Sequence, residues 1–226
     1  MITHAVVVPH PPLLVPEISP GPAPELAALR EACVAAVSRL GDRWIAVGAH
    51  AEDLTVRPTV AGSFRGYGVD LRVQLSEGHC EDQVLPLPAL IAGWLRECAG
   101  AREVVARMVA GDTAPADCAR LGERLAARED TGLLIVGDGS NRHGPKSPGS
   151  EDERAPGFDE AVAKALARAD GEALLAIDPA VANELGAGGR VPWQVLAGTG
   201  GGWQGELLYS AAPFGVGYHV AVWERG

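Results

Sequence analysis

The chain has 226 residues, 47% of them hydrophobic, which is enough to bury a full core as one domain over residues 1–226. Its formal net charge of −10 argues against binding to nucleic acid or to an anionic membrane surface. The sequence has no signal-peptide pattern and no apolar stretch of about 18 residues, so we expect a cytoplasmic protein that does not cross a membrane.

The four cysteines, Cys33, Cys80, Cys98 and Cys118, lie far apart in the sequence and form no CxxC pair. Three of them fall in helix-like segments, where a buried free thiol is the usual state. The sequence therefore predicts neither a disulfide framework nor a zinc knuckle.

A short apolar strand opens the chain and ends abruptly at a histidine. The stretch VVVPHPPLL at 6–14 has a run of valines, then a proline, His10 and two more prolines. The prolines stop the strand because they have no backbone N–H to donate. Parallel sheets carry their chemistry at such strand ends, whereas the alternative interpretation is a hydrogen-bonded histidine in a turn.

The rest of the chain alternates predicted helices with predicted strands. After a proline-rich loop at 15–24, apolar spacing predicts helices at 24–40, 86–98, 116–127, 158–169, 178–185 and 192–197. Strands are predicted at 44–48, 54–60, 69–75, 103–109, 131–136, 205–210 and 216–223, the last two as an antiparallel pair. This order predicts an α/β fold with a central, mostly parallel or mixed sheet flanked by helices.

A second histidine, His50, follows the strand predicted at 44–48. A right-handed crossover would bring this strand end to the same edge of the sheet as His10. Two imidazoles suit divalent iron, zinc or copper, but a metal site needs at least a third ligand. Spacing alone does not choose among the candidate carboxylates Glu52, Asp53, Asp138, Glu184 and Glu206.

The strand predicted at 131–136 leads into a polar loop that begins GDGSNRHG at 137–144. A loop of this length in a compact domain is more often functional or mobile than idle, although a solvated crossover has the same composition. The loop contains Asn141 and His143 but no nucleophile elbow of the GxSxG type. The histidines His79 and His219, elsewhere in the chain, are predicted to be surface or packing residues.

Four stretches of the sequence, in this order, resemble class III extradiol ring-cleavage dioxygenases. They are VVPHPPLLVPE at 7–17, VGAHAEDL at 47–54, GDGSNRHGPKSPG at 137–149 and GGRVPWQVLAG at 188–198. The similarity is to the catalytic LigB-like subunit and to the related Memo proteins, and it spans almost the whole chain. It implies one LigB/Memo-like domain with a non-haem iron(II) site that uses oxygen to split a catechol ring beside its hydroxyls. It also implies a small aromatic substrate and a small partner subunit that caps the site. Independently of the resemblance, a homodimer is the default expectation for a soluble enzyme.

The resemblance assigns the two metal-binding histidines to His10 and His50. Asn141 stands where the dioxygenases have their acid–base histidine, and His143 follows two residues later as the candidate replacement. The glycine pair 188–189 stands where the superfamily has its third metal ligand, a glutamate or a cysteine, and Glu184 is the nearest carboxylate.

Two hypotheses follow from these matches. In the first, the protein is an active extradiol-type dioxygenase with iron held by His10, His50 and a relocated carboxylate such as Glu184 or Glu206. His143 is then the acid–base group. In the second, the fold persists without ring cleavage, as a small-molecule-binding or protein-interaction scaffold that binds zinc, another metal weakly, or no metal.

Overall fold

A mixed seven-stranded sheet runs through the centre of the molecule. The computed structural model describes residues 1–21 and 23–226, so Pro22, in the proline-rich loop predicted at 15–24, lies outside the described residues. The strands are β1 (His4–Val8), β2 (Arg43–His50), β3 (Leu54–Val56), β4 (Val60–Ser63), β5 (Arg72–Gln74), β6 (Glu81–Asp82), β7 (Glu103–Ala110), β8 (Gly132–Val136), β9 (Gln204–Ala211) and β10 (Tyr218–Glu224).

Helices cover both faces of this sheet. They are α1 (Pro24–Val37), α2 (Leu87–Ala99), α3 (Pro115–Ala126), α4 (Ala155–Arg168), α5 (Gly171–Leu175), α6 (Pro179–Glu184) and α7 (Arg190–Ala197). Short 3₁₀ turns form at Pro12–Leu14 and Phe64–Tyr67. In the part of the chain that the structure describes, no helix is both long and apolar enough to span a membrane.

The strand order in the central sheet is β3-β7-β2-β8-β1-β10-β9. The four strands β7, β2, β8 and β1 are parallel neighbours, while β3, β10 and β9 run antiparallel to their neighbours. A second, three-stranded sheet has the order β5-β4-β6. Because the four central strands are parallel, their carboxyl ends lie together at one edge of the sheet.

Alternate side chains of each central strand enter two separate hydrophobic clusters. On β1, Val6 and Val8 join the cluster under α1 and α2, whereas Ala5 and Val7 join the cluster under α3, α4 and α7. Both faces of the parallel strands are therefore buried, which explains why these strands are apolar runs rather than alternating ones.

The predicted fold class is confirmed, and so is the antiparallel pair near the C-terminus. The strand predicted at 54–60 was wrong as one element, since β3 belongs to the central sheet and β4 to the small one. Pro58 lies between them and has no backbone N–H for a ladder bond, so it marks the change of sheet. The short helix α5 was not predicted; its N-terminus is capped by Asp170, whose carboxylate accepts from the N–H of Ala173 at 3.0 Å.

Candidate functional site

On three neighbouring parallel strands, a polar residue lies two positions beyond the same row of paired residues. Val8, Val136 and Gly48 are in register on the neighbouring strands β1, β8 and β2. His10, Asp138 and His50 each come two residues after their member of this row. Since neighbouring strands are about 4.8 Å apart, the two histidine backbones lie about 10 Å apart with Asp138 between them.

His10 and Asp138 are in direct contact. The backbone N–H of His10 donates to Oδ1 of Asp138 at 2.7 Å, and the same oxygen lies 3.3 Å from Nδ1 of the imidazole. Burial lowers the pKa of His10, but the charge of Asp138 and its contact with the ring outweigh burial, so the net pKa is raised. Asp138 thus fixes the end of β1 and favours positive charge on this imidazole.

The Nδ1 atom of His10 is buried and makes no hydrogen bond, despite the nearby carboxylate. Buried polar atoms without a partner are rare in proteins, and a metal ion is one group that satisfies such an atom. Two imidazoles and a carboxylate also form a donor set that suits iron(II). Among residues 1–21 and 23–226, however, no three His, Cys, Asp or Glu side chains already surround a common point.

His50 is the last residue of β2 and is half-buried. Its carbonyl accepts from the N–H of Gly111 at 2.9 Å, which holds the backbone there in place. Its ring makes no hydrogen bond to any described residue.

The position at which the resemblance expects the third metal ligand does lie beside His10. A Cβ atom built on Gly188 would come 4.0 Å from Cε1 of His10, with nothing nearer. Gly189 is different, because a Cβ atom there would collide with the ring of Trp193. Gly188 therefore faces the histidine and could carry a side chain, while Gly189 is required for close packing.

Asn141, at the position expected for an acid–base histidine, is wedged between two glycines. Cβ atoms built on Gly149 or Gly186 would collide with its side-chain amide, and its Oδ1 is buried without a hydrogen-bond partner. A side-chain amide is neither a general acid nor a general base at neutral pH. Asn141 can therefore fill space and form hydrogen bonds there, but it cannot transfer a proton.

His143, the candidate replacement, belongs to a separate buried network. Its Nε2 lies 2.5 Å from Oδ2 of Asp159, whose Oδ1 lies 3.2 Å from Nε2 of His219. Asp159 also accepts from the N–H of Ser140, and Nδ1 of His219 lies 3.0 Å from the hydroxyl of Ser210. This network, which we call the Asp159 cluster, joins the loop after β8 to α4 and β10.

Three of the other four candidate carboxylates are engaged elsewhere, and the fourth, Glu52, is exposed. Glu184 is exposed at the end of α6, and its Oε2 pairs with Arg154 at 2.8 Å. Glu206 pairs with Arg39 at 2.7 Å on β9, and Asp53 accepts from the backbone N–H of Ala110 at 2.9 Å. Among the carboxylates predicted as ligands, Asp138 is the one in contact with His10.

A cavity of about 660 Å³ opens at the same edge of the sheet. Its lining includes Ala49, which precedes His50, and Gly188, which faces His10. Arg190 also lines it and is only 4% exposed; its guanidinium donates to the carbonyls of Gly111 and Thr113 at 2.6 Å each. Burial lowers the pKa of Arg190, and no carboxylate of a described residue pairs with it.

Three features of this region were not predicted from the sequence. Asp159 occupies the apolar stripe of α4 with Ala155, Val162 and Leu166, and a carboxylate in such a stripe is a signal of a buried network. His219, predicted to be a surface or packing residue, is a buried member of the Asp159 cluster. The equal offset of Asp138 from the strand row was a signal for its contact with His10.

The comparisons with known proteins agree with this architecture. The crystal structure of uncharacterized protein JW3007 from Escherichia coli K12 has a similar fold, with a TM-score of 0.57 and 15% sequence identity over 99% of this chain and 100% of that chain. No curated protein shows significant similarity to the chain. The family model of the catalytic LigB subunit of aromatic ring-opening dioxygenase matches residues 96–221, more than half of the sequence. This chain therefore belongs to the LigB family.

Proposed function

We propose that this protein is a metal-dependent, dioxygenase-like enzyme that opens the ring of a small catechol-type substrate. The observation that carries the proposal is the strand-end row: His10 and His50 stand at equivalent positions of the parallel sheet, and His10 keeps a buried, unpartnered nitrogen. Family membership supports the same reaction class.

Iron(II) is the metal that the resemblance implies, and His10 and His50 are the residues that would hold it. Such an ion would supply the open positions at which a catechol and oxygen meet. The cavity bordered by Ala49 and Gly188 is large enough for one aromatic ring; Ala49 directly precedes His50, and Gly188 faces His10.

The residues around the proposed metal site position the ligands and the substrate, and none of those that the structure describes is placed to transfer a proton. Asp138 orients the end of β1 through the N–H of His10, and Gly188 leaves the space beside the imidazole open. Asn141 does not accept a proton, and Nε2 of His143 is engaged by Asp159. Because loss of a positioned acid–base group lowers a rate by about 10²- to 10⁴-fold, we expect slow ring opening.

A second candidate function is a small-molecule-binding or interaction protein without ring cleavage. Asn141 and Gly188, the two positions without the expected acid–base and ligand side chains, favour it. In that case the cavity would bind its ligand, and a zinc ion or no ion would occupy the histidine site.

Anaerobic reconstitution separates the two functions. The protein is loaded with iron(II), its metal content is measured by elemental analysis, and oxygen uptake is followed with a panel of catechols. We expect stoichiometric iron and slow formation of a ring-cleavage chromophore. His10→Ala and His50→Ala should both lose the iron, whereas His79→Ala, at an exposed histidine of another loop, should retain it.

Iron binding without oxygen uptake for any catechol would favour the binding protein. No iron above the level of His10→Ala would exclude the metal-dependent enzyme.

A further inference from the structure

The LigB-type site of this chain has an open ligand position. Gly188 faces His10 at the place where the resemblance expects a glutamate or cysteine, and it has no side chain to offer. Iron and zinc sites built from two imidazoles need at least one more protein donor to hold the ion firmly. A replacement donor must therefore come from another element near His10.

Asp138 is the carboxylate in contact with His10. It lies on the strand end between the two histidines, two residues beyond the same strand row. Its Oδ1 is engaged by the backbone N–H of His10, which keeps the carboxylate turned toward β1. Glu184, the carboxylate nearest to Gly188 in the sequence, instead pairs with Arg154 on the surface.

Electrostatics also favour a cation between these residues. Nδ1 of His10 is buried without a hydrogen bond although Oδ1 of Asp138 lies only 3.3 Å away, so the two groups do not satisfy each other. Side-chain exposure is 20% for both groups, which leaves the carboxylate partly desolvated. An ion between an unpaired imidazole nitrogen and a partly desolvated carboxylate satisfies both at once.

We propose that Asp138 supplies the third protein ligand of the metal site, in place of the side chain that is absent at Gly188. The inference rests on the proposed function, because it concerns the same site. His10 and Asp138 already stand together, and His50 stands at the equivalent position of the next strand, β2. The carboxylate ligand thus comes from the middle strand of the row instead of from the turn before α7.

Cobalt(II) titration of the metal-free full chain tests this ligand set without relying on catalysis. Cobalt(II) has visible absorption bands that change with its donor atoms, so affinity and ligand set are measured together. The wild type is compared with Asp138→Asn, which keeps an oxygen for the N–H of His10, and with the double variant Asp138→Asn plus Gly188→Glu. The control is Asp53→Asn, the same change at another carboxylate near this sheet edge.

We expect Asp138→Asn to weaken cobalt binding by more than about 100-fold and to alter the absorption bands, because loss of a partner outside the ligand sphere costs only about 10- to 100-fold. Adding Gly188→Glu should recover at least about tenfold of this loss, since a carboxylate beside His10 restores the donor. Asp53→Asn should match the wild type. Thermal unfolding of each variant checks that the fold is retained.

Two outcomes separate this inference from the proposed function. If cobalt binding depends on His10 and His50 but Asp138→Asn keeps the wild-type bands and loses less than about 100-fold in affinity, Asp138 only positions His10 and the inference is overturned. If the wild type binds neither cobalt nor iron, the proposed metal-dependent function itself is overturned.

Discussion

Two histidine–carboxylate clusters each include a residue of the loop after β8, Asp138 in one and His143 in the other, and they differ in how many of their polar atoms have hydrogen-bond partners. In the Asp159 cluster, each carboxylate oxygen meets a histidine, and the far nitrogen of His219 meets Ser210. In the His10–Asp138 pair, the imidazole nitrogen nearest the carboxylate makes no hydrogen bond. The two clusters use the same residue types for different purposes.

The difference shows that proximity of a histidine to a carboxylate is not by itself a sign of function. A closed network such as the Asp159 cluster binds chain segments together, because every buried polar group has a partner. The His10–Asp138 pair, which we call the open pair, keeps a buried nitrogen without a hydrogen bond and lies beside Gly188, a residue that lines a cavity. We therefore expect mutations in the closed cluster to affect stability and mutations in the open pair to affect metal binding.

The largest effect on stability should come from Asp159→Asn. The substitution removes a buried charge that faces His143, His219 and the N–H of Ser140. Breaking a buried, hydrogen-bonded polar network in this way should lower the free energy of unfolding by about 3 kcal/mol, measured by urea denaturation. The cobalt affinity of the folded protein should change little.

Glu160→Gln is the matched control for this variant. Glu160 is the next residue of α4 and pairs with Lys164 at the surface at 2.5 Å, so its loss should leave the unfolding curve indistinguishable from that of the wild type. A loss of metal affinity in Asp159→Asn as large as that in His10→Ala would contradict the division between a structural and a functional cluster.

A smaller effect on stability should distinguish Gly188 from Gly189, the two adjacent glycines beside the His10–Asp138 pair. Gly189→Ala forces a Cβ atom into the ring of Trp193 and should cost about 2 kcal/mol of unfolding free energy. Gly188→Ala adds a methyl group that reaches no atom closer than Cε1 of His10 at 4.0 Å, so its cost should stay within about 0.5 kcal/mol. Chemical denaturation measures both, and equal losses would show that the space beside His10 is not open.

Much of the framework that carries these clusters follows from local sequence signals. Prolines and glycines mark the ends of the helices, and Asp178 caps α6 by accepting from the N–H groups of Ala180 and Val181, as its sequence position predicts. The common edge for His10 and His50 follows from the parallel crossover alone. These features depend on backbone chemistry and chain direction, which a single sequence contains.

The contacts between distant segments could not be predicted in the same way. Asp138 was one of five candidate carboxylates, and its selection depends on the side-by-side alignment of β8 with β1. The contrast between Gly188 and Gly189 depends on where the Trp193 ring lies one turn into α7. Asp159 meets His219 across 60 residues of chain, so their pairing is a property of the folded packing.

The smallest effect concerns the protonation of His10 in the metal-free protein. The raised pKa means that the folded state binds the proton more tightly than the unfolded chain. The resulting stabilisation is fully present below the unfolded pKa of about 6.5 and is lost as the pH rises through the folded value. Asp138→Asn removes both influences that raise this pKa and leaves burial, which lowers it. NMR titration of the imidazole should therefore show a lower midpoint in the variant.

The free energies of unfolding of the wild type and of Asp138→Asn should differ in the direction that the pKa shift of His10 predicts. The difference between wild type and Asp138→Asn should be largest below the unfolded pKa of about 6.5 and should narrow as the pH rises through the folded pKa of His10 in the wild type. A residual difference should persist at high pH, because the N–H of His10 loses its bond to a charged acceptor at any pH. Asp53→Asn should leave the His10 midpoint unchanged. An unchanged midpoint in Asp138→Asn would show that the His10 imidazole and the Asp138 carboxylate are not electrostatically coupled. His10 would then titrate independently of its neighbour, and the contrast with the Asp159 cluster would not hold.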